Sequence, residues 1–270
     1  MAQTKGMQEL LYERTEQLTW SIVPLWCVPE STAVNASIVG TGFFINDQGY
    51  FITAAHVANV NHIGPDTKPI PCFLQVMIRH EGGAGSKLFD IIDTDKDHDL
   101  ALCQIKGLMV RDEKHSPLPP DAIPRSRWSP FASLAMDSES PRSGELVALD
   151  GFPLGSWIPD VQMGNVAATE TLMEVPKTPK DGRELLQISV NGNHGNSGGP
   201  VVDISTGKVI GVLLMVVPAP LAIDGELKWD LGTYQSSGIM LAVPAKWVNA
   251  LVARHQISSS EVKAGKYFAW

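Results

Sequence analysis

From residue 21 onward the chain keeps stopping. Apolar runs rich in β-branched and aromatic residues, "SIVPLWCV", "ASIVGTGFFIN", "YFITAAHV", "CFLQVMIRH", "LFDIID" and "DLALCQI", are each cut off by Gly, Pro, Asn or Asp. Runs of this length, bounded by turn residues, read as strands. "NDQG" (46–49) falls between two of them as a hairpin-type turn. A second set follows, "ELVALDGF", "VQMGNVAA", "ELLQISV", "PVVDI", "KVIGVLLMVV" and "GIMLAV". So many short strands must curl or stack to bury their apolar face, which makes the chain all-β, as a barrel or a sandwich.

The rest of the organisation hangs on these two blocks. Met7, Leu10, Leu11 and Leu18 space out a short helix over 7–19, within an N-terminal segment 1–19. The first β-block is expected over 20–110 and the second over 131–245. Between them "RDEKHSPLPPDAIPRSRWSP" (111–130), with Pro117, Pro119, Pro120 and Pro124, reads as an extended linker. "PAKWVNALVARHQ" puts Pro244 at a helix start and Trp247, Val248, Leu251 and Val252 on one face, so 246–270 is read as a helix and tail.

Composition excludes several function classes. The 270 residues are 44% apolar and 19% charged, enough to bury a core and too apolar for disorder. A formal net charge of −8 offers no basic face for nucleic acid or an anionic membrane. The seven histidines show neither H-x-x-x-H nor H-E-x-x-H, so no metal and no cofactor is expected. Cys27, Cys72 and Cys103 are widely spaced and read as three buried thiols, with one pairing left open. The N-terminus carries acids throughout and lacks the apolar core of a signal peptide, and no run of 18 apolar residues could span a bilayer. The expected setting is reducing and cytoplasmic.

Three places could carry chemistry. "YFITAAHVANV" is a strand running into His56; "DTDKDHDLALCQI" is an acidic turn ending in Asp99; "NGNHGNSGGPVVD" holds Ser197 among glycines. Each alone reads as structural: a strand-end histidine, a turn aspartate, a glycine turn. Together, two in the first block and one in the second, they suggest a site at the seam between blocks. Of Asp93, Asp95, Asp97 and Asp99, only Asp99 directly begins the "LALCQI" strand; the other three are read as a solvated turn. His98 is expected to point away from Asp99, as neighbours do along an extended chain.

Taken in order, these motifs resemble the trypsin-like, chymotrypsin-fold serine proteases, and more closely their HtrA-type branch. The matching pieces are "GTGFFINDQGYFITAAHV" (40–57), "DLAL" (99–102), "SGELVALDGFPLG" (143–155), "MGNVAA" (163–168), "GNSGGPVVDISTGKVIGV" (195–212) and "SGIMLAVPAKWV" (237–248). The resemblance implies two six-stranded antiparallel β-barrels and a serine endopeptidase with a polypeptide substrate. It implies Ser197 as nucleophile, His56 as base, Asp99 as the group that orients His56, and the N–H groups of Gly195 and Ser197 as an oxyanion hole.

It also frames the departures. Asn196 stands where zymogen-type relatives carry an aspartate, so no cleavage-released amine is expected to build the site; control, if any, would come from substrate, an activating partner or a homo-oligomer. His194 replaces the family's proline and is expected to shape the pocket. Asn191 or Gly192 falls at the pocket base, and Leu214, Met215 and Val216, within "LLMVV" (213–217), form an apolar wall. Small or medium aliphatic residues before the scissile bond follow from that wall. "PAPLAIDGELKWDLGTYQSS" (218–237) is long for a hairpin connection and reads either as a lid or as a surface loop. Only 14 residues follow "VARHQ", too few for a PDZ module.

Two other readings compete. G-x-S-x-G at 195–199 also fits an α/β-hydrolase, but "GGPVVDIS" cannot form the helix after its serine, and the only later histidine is His255. The second is a protease-fold binding or regulatory protein whose site is silent because its oxyanion loop is distorted.

Overall fold

The structure, a computed structural model, describes residues 6–30, 35–60, 62–63, 69–80, 83–111, 128–169, 184–219, 221–223, 226–228 and 235–269. Helix α1 (Met7–Ser21) opens the chain. The first block contains β1 (Ile22–Pro29), β2 (Ser37–Phe44), β3 (Tyr50–Ala54), the one-turn α2 (Ala55–Ala58), β4 (His62–Ile63), β5 (Pro69–Ile70), β6 (Cys72–His80), β7 (Gly83–Leu88), β8 (Asp90–Asp95), β9 (Leu100–Gln104) and β10 (Met109–Arg111). After β11 (Trp128–Ser133) the second block contains β12 (Leu146–Gly151), β13 (Asp160–Ala168), β14 (Leu186–Ser189), β15 (Pro200–Asp203), β16 (Val209–Ala219), β17 (Leu221–Ile223), β18 (Glu226–Lys228) and β19 (Gln235–Pro244). Helix α3 (Ala245–Ala253) and β20 (Val262–Ala269) end the described chain.

The second block is a closed six-stranded barrel, β12-β13-β14-β19-β16-β15. The first is a sheet in the order β7-β6-β1-β2-β3-β9-β8. Its two outer strands are consecutive in sequence, separated by Phe89 alone. One extended residue reaches only about 3.5 Å, so the sheet has curled until its edges meet. Counted as one strand bent at Phe89, β7 and β8 give the first block its six-stranded barrel. The corner is pinned from inside, because the Phe89 ring lies edge-on to Phe51 at 5.2 Å.

Apolar burial joins the two barrels. Phe43, Phe44 and Phe51 from the first block share one core cluster with Phe131, Phe152, Val212, Leu241 and Val243. Each fully buried phenylalanine contributes about 1.5–3 kcal/mol, so the seam is held by core packing rather than by surface contacts. Val147, Val166, Ile188, Val201 and Leu213 form a second cluster inside the β12–β19 barrel. In β3 every residue from Phe51 to Ala54 is buried, because the strand faces its own barrel on one side and the seam on the other.

The first and last described elements are built into the fold. The segment 246–270, expected as helix and tail, supplies β20, which lies between β10 and β11. Gln17 of α1 ties that sheet down, donating to the Ser133 and Val262 carbonyls (2.9 and 2.6 Å) and accepting the Ala264 N–H (2.8 Å). The linker expected over 111–130 begins in β10 and ends in β11, and 112–127 lie outside the described residues. Of the 218–237 insertion, β17 and β18 pair as a hairpin, while 220, 224–225 and 229–234 lie outside the described residues.

One cysteine expectation is corrected. Cys27 and Cys72 form a disulfide, and only Cys103 is a free, buried thiol. The β1/β6 ladder, which pairs Cys27 with Leu74 and Pro29 with Cys72, brings the two Cα atoms to 5.2 Å. Such bridges belong to oxidising surroundings, so cysteine usage no longer supports a reducing setting. No described helix is long and apolar enough to cross a membrane.

Candidate active site

His56 sits on α2, directly after the buried strand β3, with its side chain half exposed. Asp99 ends the turn between β8 and β9 and meets it at three points. The Asp99 carbonyl accepts the Ala55 N–H (2.9 Å), Oδ1 accepts the His56 N–H (2.8 Å), and Oδ2 lies 2.6 Å from His56 Nδ1. A carboxylate only accepts, so the contact calls for a proton on Nδ1 and directs Nε2 away from Asp99.

Asp99 has φ +56, a left-handed conformation that side chains other than glycine rarely adopt. The turn is held there by Asp95, whose Oδ1 accepts the N–H groups of Asp97 and His98 (3.1 Å each) and whose Oδ2 pairs with His98 Nδ1 (2.9 Å). Two parts of the solvated-turn expectation are therefore corrected. Asp95 is buried, bonded to His98 and to Arg254 at the end of α3 (3.4 Å). Burial pushes its carboxyl up, but the bonds from His98 and the Arg254 charge outweigh that and hold it below the ordinary value. Asp93 pairs with His255 Nε2 (2.9 Å), a bond that lowers its carboxyl as well. The His98 ring turns from Asp99 and stacks on Trp247 at 3.8 Å.

Ser197 lies in the loop before β15, which the first barrel clasps. The Ser197 carbonyl accepts the Thr41 N–H (2.9 Å), and the Thr41 hydroxyl donates to the Gly195 carbonyl (2.7 Å) while accepting the Phe152 N–H (3.2 Å). Gly40 lies between this loop and α2. A Cβ on it would stand 2.5 Å from Val57 Cγ1 and 3.0 Å from the Ser197 carbonyl oxygen. The Ser197 loop and the His56 helix are thus one glycine apart. The Ser197 hydroxyl itself donates to the Leu214 carbonyl (2.8 Å) rather than to His56.

The loop's backbone suits an oxyanion. Gly195 has φ +99, and a Cβ there would lie 2.1 Å from the Phe152 carbonyl oxygen. The neighbouring N–H groups are used internally, Asn196 to Asn193 O (3.2 Å), Gly198 to Leu213 O (2.7 Å) and Gly199 to Asn196 O (3.0 Å). Among the described residues, the N–H groups of Gly195 and Ser197 have no protein acceptor. Asn196 is buried against Gly151, and its Oδ1 has no hydrogen-bond partner.

Around the serine, Leu214 is buried, Met215 and Val216 are half-buried, and Asn191 and His194 are exposed. The His194 carbonyl accepts the Leu154 N–H (2.6 Å). Sequence reasoning missed Met240. Its Sδ would lie 1.9 Å from a Cβ on Gly192, so the thioether fills the space behind the expected pocket base. Thr41 was also missed; its only signal is a hydroxyl between two glycines in "GTGFF". Among the described residues no group of three His, Cys, Asp or Glu side chains is placed to hold a metal ion.

Comparison with known proteins fits this geometry. The profile of the trypsin-like peptidase domain matches residues 40–212. The uncharacterized protein y4bJ of Sinorhizobium fredii is 30% identical over 204 residues, 74% of this chain and 25% of its own length. The mouse serine protease HTRA4 is 28% identical over 219 residues, 77% of this chain and 36% of its own. The chain thus spans about a quarter to a third of these relatives. The solved structure of Deg5 superposes with a TM-score of 0.56 at 20% identity, covering 92% of this chain and 94% of that one. At that identity it speaks to fold alone.

Proposed function

The chain belongs to the trypsin-like peptidase family, on its HtrA-type branch, and from that premise we propose that it is a serine endopeptidase acting through His56, Asp99 and Ser197. The observation that carries the reading is the grip of Asp99 on both the N–H and the Nδ1 of His56, one glycine's width from the Ser197 loop. A polypeptide substrate would place its scissile carbonyl over Ser197. The hydroxyl then gives up Leu214 O and turns its hydrogen to His56 Nε2.

As the Oγ–C bond forms, the serine proton passes to Nε2 and the carbonyl electron pair becomes an oxyanion. The N–H groups of Gly195 and Ser197 receive that charge. Collapse breaks the C–N bond, and the amine leaves with the proton from Nε2, giving the acyl-enzyme. Water repeats the sequence, returning the proton to Ser197 and releasing the acid. Asp99 accepts the bond from Nδ1–H throughout and keeps the ring oriented.

Met240 behind Gly192 makes the pocket shallow, which favours small or medium aliphatic residues before the scissile bond. Asn196 is neutral and needs no new N-terminal amine, so ordering by substrate, a partner or a second copy is the proposed route of control. The test is labelling with a fluorophosphonate probe, comparing wild type with Ser197→Ala, His56→Ala and Asp99→Asn. Labelling lost in Ser197→Ala and cut at least about 10³-fold in the other two supports the triad. A folded wild type that takes no label, on its own or with peptide present, would move the silent binding protein ahead.

A further inference from the structure

We propose that Thr41 is the positioning residue of the nucleophile loop: its hydroxyl selects the one loop conformation that presents the Gly195 and Ser197 N–H groups. The proposal rests on the serine-protease reading of the site. Gly195, at φ +99, is a residue for which positive and negative φ are almost equally available. The loop's own sterics therefore do not choose its conformation. Nor does Asn196, whose Oδ1 has no partner. Within the loop, the turn bond from Asn196 N–H to Asn193 O is long, at 3.2 Å.

Thr41 supplies what is missing. It is fully buried, so no solvent competes for its hydroxyl. That hydroxyl accepts the Phe152 N–H, so its single hydrogen is committed to the Gly195 carbonyl at 2.7 Å. Fixing the Gly195 carbonyl fixes the Gly195–Asn196 peptide plane, because a peptide unit turns as one body; that plane is the joint between the two that carry the Gly195 and Ser197 N–H groups, the first of which is also held by the Leu154 N–H on the His194 carbonyl (2.6 Å). The Thr41 N–H fixes the next carbonyl but one, that of Ser197, at 2.9 Å. Thr41 is in turn held from behind, since its own carbonyl accepts the Thr53 hydroxyl at 2.7 Å, three residues before His56. One residue of the first barrel thereby sets two carbonyls of the second barrel's catalytic loop and one N–H of the adjoining Phe152 segment.

The main-chain bonds survive any side-chain replacement, so Thr41→Val removes the hydroxyl alone and keeps the shape, and Thr41→Ser restores it. In Thr41→Val, kcat on a peptide substrate falls about 100-fold with KM little changed, and fluorophosphonate labelling of Ser197 slows by the same factor. Thr41→Ser keeps most of the rate. Hydrogen exchange at the amides of 150–154 and 193–199 speeds up in Thr41→Val and not in Thr41→Ser. A folded Thr41→Val with wild-type kcat and wild-type exchange overturns the proposal. Should that variant fail to fold, Thr41→Cys, with a weak donor of similar size, reads the same comparison. The exchange measurement stands apart from catalysis. If the wild type is unreactive, the protease reading fails, while faster loop exchange in Thr41→Val alone still upholds the lock and unchanged exchange still overturns it.

Discussion

Replacing Asp150 by Asn should make the protein more stable at neutral and alkaline pH and leave it unchanged in acid. Asp150 lies on β12 and is 1% exposed. Burial pushes its carboxyl up from 3.8 to about 7, against the Gly151 N–H (2.8 Å), the Arg79 charge and the Thr19 hydroxyl (3.4 Å). Burial also pulls the Arg79 guanidinium down, so neither charge is fully compensated by the other. A folded-state value above the unfolded one means that the folded protein holds this proton more tightly. Below pH 3.8 both states are protonated and nothing is lost; the cost grows as pH rises and levels off above about 7. At about 1.36 kcal/mol per pH unit the full effect is ~4 kcal/mol. Asn keeps the bond from Gly151, and the lost attraction to Arg79 is already contained in the raised carboxyl, so the expected gain at pH 8 is the same ~4 kcal/mol. Urea unfolding of both proteins followed by tryptophan fluorescence, from about pH 4 to about pH 8, gives the difference directly. Stability curves that stay parallel over the whole range would refute the reasoning.

Two further substitutions separate strain from chemistry. Gly195→Ala meets the Phe152 carbonyl 2.1 Å from its Cβ at φ +99, so the loop must move; kcat should fall about 10²–10³-fold. Gly144→Ala, at φ +92 with nothing within 4 Å of the Cβ, should lose only ~1–2 kcal/mol to backbone strain and keep its rate, as melting and kinetics on the pair would report. Reduction of Cys27–Cys72, or Cys27→Ser with Cys72→Ser, releases a sequence separation of 45 and should cost about 4 kcal/mol in denaturant titrations. An unfolding midpoint indifferent to reductant would remove that bridge from the account.

The all-β fold and the three side chains of the proposed triad were legible because each leaves a local trace. Turn residues punctuate strands, and an imidazole, a carboxylate and a hydroxyl in glycine-rich or strand-end settings announce their chemistry. What escaped has partners far along the chain. The Thr41 hydroxyl binds groups 154 and 111 residues away, and within "GTGFF" it reads as one more β-branched residue. Asp95 reads as a solvated turn until α3 brings Arg254 back from 159 residues on. Met240 reads as plain strand alternation; its place behind Gly192 depends on the β14/β19 register, which pairs it with Ile188. The Cys27–Cys72 bridge needs β1 beside β6, with four strands intervening in sequence.

These long-range contacts share a direction. The first barrel supplies His56 and Asp99, and it also moulds the loop that carries Ser197. Thr41 sets two of that loop's carbonyls, and Gly198 packs so closely that a Cβ on it would stand 2.2 Å from Thr41 O and 2.3 Å from Thr53 Oγ1. Gly40 then separates the loop from Val57 by no more than van der Waals contact. The spacing between the His56 helix and the Ser197 loop is therefore fixed by backbone packing across the seam, not by a hydrogen bond between the two side chains. That is why the Ser197 hydroxyl can rest on the Leu214 carbonyl without the site coming apart. For the proposed reaction the Ser197 hydroxyl would have to leave the Leu214 carbonyl, while the expensive part, the relative placement of the two barrels' loops, is already in place.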